Sequence, residues 1–261
     1  MSQPRGYVDI RYLQTTAALL DRVKQRSYAL MRIRPGQSVL DVGCGPGTDT
    51  IPLARLVGLS GKVSGVDADA AMVAEASRRA KAAGLSACVE HEVGNAQAVP
   101  FADGTFDACR SERLFQHLDS PAKVLAEMAR VTKHGGWIIV ADTDWGTLSI
   151  DSPEVDIERR LIRVLAEQSL QNGYAGRQLF RLFQQQQLRD ISIEMIPVYI
   201  TDYPMIRQAC RLDLVERVAL ECGAITEQEL RRWHSSVETA AADGVFFASA
   251  SMVLIAGRKN G

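Results

Sequence analysis

The apolar positions of this chain keep two rhythms in alternation. Between residues 13 and 31, Leu13, Ala17, Leu20, Val23, Ser27 and Leu30 recur at three- and four-residue steps, the spacing of one helix face. Arg34-Pro35-Gly36 breaks that rhythm, and residues 38–42 read as a short strand. Residues 48–57 return to helical spacing, with Gly58 past the end. Residues 62–67 read as strand, 70–83 as a helix closed by Gly84, and 87–93 as an alternating strand. Residues 106–110 are strand-like and 121–131 helical. The run WIIVA at 137–141 is apolar throughout, which suits a central strand buried on both faces. This alternation predicts a parallel sheet with helices on both sides.

Beyond residue 150 the pattern changes. Ser152-Pro153 predicts a cap and a first-turn proline for a helix to about residue 170, ended by Asn172-Gly173. A helix near 177–187 leads into the alternating strand ISIEMIPVYI. Thr226 and Glu229 have the spacing of a capping box, and Asp243-Gly244 turns into a last strand over 245–257. Two late strands, one reached through helices and one through a turn, predict that the sheet closes on an antiparallel edge. The expected class is α/β, a doubly wound sheet of about seven strands, mostly parallel, with the last one antiparallel.

Composition narrows the setting. With 261 residues, 46% hydrophobic and 23% charged, the chain can bury a sizeable core. A net charge of −1 demands no polyanionic partner, so nucleic acid is not expected. The cysteines (Cys44, Cys88, Cys109, Cys210, Cys222) are odd in number and widely spaced, which suits buried thiols in a reducing compartment rather than a metal site. The N-terminus lacks the layout of a signal peptide, and no apolar run has bilayer length. The expectation is a cytoplasmic protein without a membrane partner.

The candidate chemistry begins at VLDVGCGPG, residues 39–47. A strand that ends in glycines and opens a helix brings bare backbone close to a ligand. The loop lacks the Lys-Ser/Thr pair of a triphosphate-binding loop. Its glycines, Gly43, Gly45 and Gly47, are spaced GxGxG rather than the GxGxxG of dinucleotide sites. A tight turn without a ligand is the remaining plain alternative.

Several motifs in order carry a resemblance over about residues 34–142. VLDVGCGPG, then VDAD at 66–69, GNAQAVPFADGTFD at 94–107, and ERLFQHLDSPAKVLAEMARVTKHGGWIIVAD at 112–142 resemble the class I S-adenosylmethionine-dependent methyltransferases. The likeness is to the small-molecule type found in ubiquinone and menaquinone biosynthesis. It implies a Rossmann-like fold, S-adenosylmethionine as cofactor and S-adenosylhomocysteine as product. The implied organisation is one domain, 1–261: a cofactor-binding core over 34–142, an N-terminal helix or lid over 1–33, and substrate-side helical elements over 151–190 and 204–242. Asp67 follows Gly47 by 20 residues, one helix and one strand away, so its carboxylate reaches the carboxyl end of the neighbouring strand.

The resemblance also implies roles. The glycines admit the methionine part, and Asp41 holds the loop and the ligand amine. Asp67 accepts from both ribose hydroxyls, a task for an acceptor-only group. Ala68 leaves room for the adenine and Met72 packs near it, with Asn95 and Ala96 beside the ring. Relatives carry aspartate where this chain has Asn95, so a charge is missing there. The backbone carbonyl of Arg110 falls where relatives hold the methionine amine. His134 replaces the proline of the usual KPGG and reads as a solvated turn residue.

A sulfonium methyl group needs mainly an aligned nucleophile and a dry site, so no metal or covalent residue is required. His117, Asp142 and Asp144 are candidate bases; each also has a plain structural alternative. Glu112 and Arg113 bind an acidic substrate or pair with each other. Tyr7, Tyr12, Trp145, Tyr174, Arg177 and Phe247 are candidate pocket residues. Phe246 and Phe247 are expected on opposite faces of the last strand. The place of the [DN]PP[YF] tetrad reads RSER, and Cys109 follows Ala108 rather than proline, so base-amine, glutamine and cytosine-C5 targets are disfavoured. The acceptor expected is a small metabolite, methylated on O, N or C by a monomer or homodimer. Two other readings stand: a protein that binds S-adenosylmethionine but isomerises, cyclises or only binds, and a nicotinamide oxidoreductase. The second lacks the Tyr-x-x-x-Lys pair of short-chain dehydrogenases.

Overall fold

Seven strands pair into one sheet in the order β3-β2-β1-β4-β5-β7-β6. They are β1 (Ser38–Val42), β2 (Lys62–Asp67), β3 (Val89–Val93), β4 (Phe106–Glu112), β5 (Thr132–Ile150), β6 (Arg189–Ile200) and β7 (Ala248–Arg258). The computed structural model describes residues 18–260. Strands β1 to β5 pair in parallel. β7 runs antiparallel to both β5 and β6, so the last strand is reversed as expected; it lies between them, however, and the edge of the sheet is β6 rather than an antiparallel strand. β1 lies between β2 and β4, so the connections leaving it run to opposite sides of the sheet. That is the switch point at which open α/β sheets hold ligands.

The helices cover both faces. α1 (Asp21–Leu30), α2 (Thr50–Val57) and α3 (Ala70–Ala82) lie on one, packing Val23, Leu30, Leu53, Val57 and Ala80 against Val39, Val63 and Ile139. α4 (Pro121–Val131) and α6 (Ala175–Gln185) lie on the other, where Val124, Leu125, Met128, Leu179 and Phe183 meet Leu40, Ile138 and Val140. Residues 138–141 of β5 have no exposed surface, as expected of a strand covered on both sides. A third core unites α5 (Val155–Val164), α7 (Tyr203–Cys210), α8 (Leu212–Glu221) and α9 (Glu227–Ala242) around Trp233, Ile162 and Leu212. No described helix is long and apolar enough to cross a membrane.

Several boundaries move for identifiable reasons. β5 extends well past Ala141 to Ile150, because β7 supplies partners as far as Ala248 after an irregularity between Asp144 and Ser149. The helix expected from Ser152 begins at Val155, and Ser152 Oγ accepts from the Glu154 N–H instead of capping it. Its last turn widens into a π-type turn over Leu165–Ser169. The capping box forms as read: Thr226 Oγ1 accepts from the Glu229 N–H and Glu229 returns a bond to the Thr226 N–H. The last strand starts at Ala248, so Phe246 and Phe247 precede it; Phe246 is buried and Phe247 exposed. Of the helix expected over 13–31, residues 13–17 lie outside the described residues, as do Tyr7 and Tyr12.

Candidate active site

The first turn at the switch point follows β1. Gly43, Gly45 and Gly47 have φ of +75°, +52° and +73°, a region that side chains disfavour. A Cβ on Gly47 would also sit 3.0 Å from Ala76 Cβ and 3.1 Å from its Cα, so α3 packs directly onto the turn. The turn is tied to β2 by two N–H groups, those of Gly43 and Cys44, on the Val66 carbonyl. Asp67 completes the tie. Its Oδ2 accepts from the Gly45 N–H at 2.9 Å and its Oδ1 from the Asp69 N–H at 2.9 Å. A carboxylate can accept about four such bonds, so capacity remains for a further donor. Burial raises the Asp67 pKa, with the Asp69 and Gly45 N–H groups opposing it. Asp69 caps α3 through the Ala71 N–H, Ala68 beside it is exposed, and Met72 is buried one turn on. Asn95 is exposed, and its Oδ1 accepts from the Gln97 N–H at 2.9 Å, so it builds a local turn. Ala96 packs against the core next to it.

Beneath this turn lies a buried ionic seam. Arg110 has no exposed surface, and its guanidinium contacts Asp41 at 3.2 Å, Asp49 at 3.1 Å and Glu112 at 2.9 Å. Lys24 of α1 reaches Asp49 and Glu112, both at 2.7 Å, and Tyr28 donates to Asp49 at 2.5 Å. Asp49 therefore leaves the N-cap of α2 without a side-chain bond and faces the seam. Three carboxylates meet two cations. Burial pushes Asp41 up to about 7, against the pull of Arg110 and helped by Asp49. Burial opposes ionisation of Asp49 too, but Arg110 and Lys24 outweigh it and hold that carboxyl below its ordinary range. Two expectations change here. Glu112 does not face a substrate, because its oxygens are held by buried cations. Arg110 sits inside β4, paired with Asp41 and Ile139, and works through its side chain as the hub of the seam.

The second turn follows β4. Arg113 has φ of +54° and donates its N–H to Ala141, and Phe115–His117 form one 3₁₀ turn. Asp142 anchors that turn: Oδ2 accepts from the Gln116 N–H at 3.2 Å and Oδ1 from the Thr143 N–H at 2.9 Å. Burial raises Asp142 to about 7, with the Thr143, Gln116 and Phe115 N–H groups opposing it. With no exposed surface, Asp142 cannot touch a substrate, so the structure replaces the expected base with a structural anchor. Trp145 Nε1 donates to Gln116 Oε1 at 2.6 Å, and Gln116 Nε2 lies 3.1 Å from His117 Nε2.

Beside Trp145 opens an apolar cleft. It is lined by Leu19 and Leu20 ahead of α1, Arg113, Thr143 and Leu148, Val198 and Ile200 of β6, Ile206 and Cys210 of α7, and Ala250 and Met252 of β7. None of its described lining comes from 151–190. Tyr174 and Arg177 instead join Asp144: Arg177 Nε donates to Asp144 Oδ2 at 2.7 Å and the guanidinium lies 4.7 Å from the Tyr174 ring centre. Asp144 is thus bound to a cation and also absent from the cleft, which corrects three site assignments. Phe247 stacks on exposed Tyr199 at 6.2 Å and does not line the cleft either. A larger hollow opens at the amino ends of β1, β4 and β5, among Arg34, Asp107, Lys133 and Trp137, but it is remote from the glycine turn. His134 there is exposed and bonded to the Asn260 carbonyl, but it lies within β5 rather than in the expected turn.

Sequence reasoning missed Lys24, Asp49 and Gln116. Lys24 left a trace, since a lysine four residues after Leu20 falls on the apolar stripe of α1. Gln116 left none, because its partners are 29 residues away or set by the turn.

Comparison with known proteins agrees with this geometry. Residues 39–136 match a family described as a methyltransferase domain. An uncharacterized 37.1 kDa protein in transposon TN4556 of Streptomyces fradiae is 35% identical over 85% of this chain and 62% of its own length. Demethylmenaquinone methyltransferase of Bacillus cytotoxicus is 38% identical over 48% of this chain and 52% of its own. The chain thus spans between half and two thirds of these relatives. Among solved structures, the YcgJ protein of Bacillus subtilis superposes with a TM-score of 0.65 at 21% identity, covering 94% of this chain and 99% of that one. Geranyl diphosphate C-methyltransferase of Streptomyces coelicolor, solved with S-adenosyl-L-homocysteine, gives 0.58 at 20% identity, covering 92% and 76%. Residues 39–136 thus carry the match to a methyltransferase domain, on a sheet whose fold is that of these solved structures.

Proposed function

We propose that the protein transfers a methyl group from S-adenosylmethionine to a small, largely apolar acceptor. One observation carries the reading: at the switch point three glycines at positive φ present backbone without side chains, and Asp67 braces them while its carboxylate keeps acceptor capacity. The residues fit the cofactor. Gly43, Gly45 and Gly47 would admit its methionine part, Asp67 its ribose, and Ala68, Met72, Asn95 and Ala96 its adenine. When bound, the cofactor supplies a methyl group on a positively charged sulfur, already activated toward a nucleophile.

The chain's own work is then to hold the acceptor and keep water away. The cleft of Leu20, Trp145, Ile206 and Met252 suits an apolar body, and Arg113 at its wall suits an electron-rich or anionic oxygen. The acceptors named for two similar proteins, demethylmenaquinone and geranyl diphosphate, combine the same features. Residues 34–142 act as cofactor core and 204–242 as acceptor-side helices, with α7 supplying Ile206 and Cys210. Calorimetric titration with S-adenosylmethionine, S-adenosylhomocysteine and NADH tests the reading. Binding of the first two alone is expected; binding of NADH alone would replace it with a nicotinamide function.

A further inference from the structure

The Gln116 side chain is buried, and its orientation is forced by chemistry. An indole N–H only donates, so the Gln116 atom 2.6 Å from Trp145 Nε1 must be the amide oxygen. The Arg113 carbonyl only accepts, so the atom 3.1 Å from it must be the amide nitrogen. The two constraints agree independently. A flipped amide would set N–H against N–H at one end and oxygen against oxygen at the other.

The amide nitrogen has two hydrogens. One goes to the Arg113 carbonyl; the other points to His117 Nε2 at 3.1 Å. That ring nitrogen must therefore present a lone pair. The backbone keeps the arrangement in place, because the Gln116 N–H is held by Asp142 and its carbonyl accepts from the Asn172 N–H at 2.9 Å.

We propose that Gln116 is a positioning residue that fixes His117 as the neutral ring protonated on Nδ1, with Nε2 engaged. His117 is then unable to take a proton at Nε2 while the chain Trp145–Gln116–His117 is intact, and its Nδ1 can only donate. Its part in the reaction, which rests on the methyltransferase reading, is to donate a hydrogen bond rather than act as a base. Because Trp145 also lines the apolar cleft, the acceptor's own wall sets the histidine's state.

The test needs neither cofactor nor acceptor, so it can fail independently of that reading. The full chain is labelled with ¹⁵N-histidine, and the His117 signals are identified by their loss in His117→Asn. At neutral pH the wild type is expected to show Nε2 unprotonated and Nδ1 protonated. Gln116→Glu places a carboxylate oxygen opposite Nε2 and is expected to put a proton on it. Gln116→Met removes the amide altogether, and a mixture of tautomers is expected; this variant serves if Gln116→Glu does not fold. A wild-type ring protonated on Nε2, or a Gln116→Glu or Gln116→Met ring still wholly protonated on Nδ1, overturns the proposal.

Discussion

Two turns flank the same switch point, and they are built by opposite means. The turn after β1 is made of backbone: glycines at positive φ, N–H groups on the Val66 carbonyl, and Asp67 as its clasp. The turn after β4 is made of side chains: Asp142 below, Gln116 within, Trp145 and Asn172 from the sides. Between them runs the seam of Lys24, Asp41, Asp49, Arg110 and Glu112. A backbone-built turn keeps its surface bare for a ligand of fixed shape. A side-chain-built turn can be re-lined without refolding, which suits the acceptor side of an enzyme class with many acceptors.

The seam supplies the largest test of that division. Arg110→Met removes the cation that three buried carboxylates share, and loss of one partner in such a cluster costs about 3–5 kcal/mol. Urea unfolding should show that loss; an unchanged midpoint would mean that the seam contributes nothing. Asp67→Ala acts on the first turn alone. On the proposed reading it removes two charge-assisted bonds to the cofactor's ribose, worth about 1.5–3 kcal/mol each, so S-adenosylmethionine affinity should fall about 100-fold or more. Calorimetry showing unchanged affinity would place the cofactor elsewhere.

A smaller effect concerns pH. Asp41 and Asp142 are both raised to about 7 in the folded chain, above the ordinary carboxylate range. Such groups bind more protons folded than unfolded, so their stabilisation is complete below the unfolded pKa of about 4 and is lost as pH rises through 7. Each contributes a slope of up to about 1.4 kcal/mol per pH unit within that window. Thermal melts from pH 5 to 8 should fall for the wild type and flatten in Asp41→Asn. The smallest effect is at Asn95. Asp in its place can keep the bond to the Gln97 N–H and, on the proposed reading, adds a charge near the adenine, so cofactor affinity should rise by less than about tenfold. A loss of affinity in Asn95→Asp would remove that residue from the cofactor site.

The two turns also differ in how well they could be read. The glycine turn was legible because the residue types it needs are few: no other residue tolerates three such φ angles in five positions. Asp67 followed from one helix and one strand of spacing. At the second turn the residue types were noticed, but their tasks stayed open between base and structural partner. Asp142, Asp144, Glu112 and His117 all carry plausible acid–base chemistry. Whether a carboxylate faces a cleft, an arginine or three backbone N–H groups depends on partners brought in by other strands. Arg177 reaches Asp144 from 33 residues away and Lys24 reaches Glu112 from 88.

By itself the sequence determined the alternating architecture, the reversed last strand and the tight glycine turn after β1, since each follows from local periodicity or from conformations that few residues allow. Only the tertiary structure decided which ionisable groups are buried and paired, which amide orientation His117 meets, and that the apolar cleft is walled by α7, β6 and β7 rather than by residues 151–190. Those outcomes depend on distances between elements far apart in the chain, and no local pattern encodes such distances.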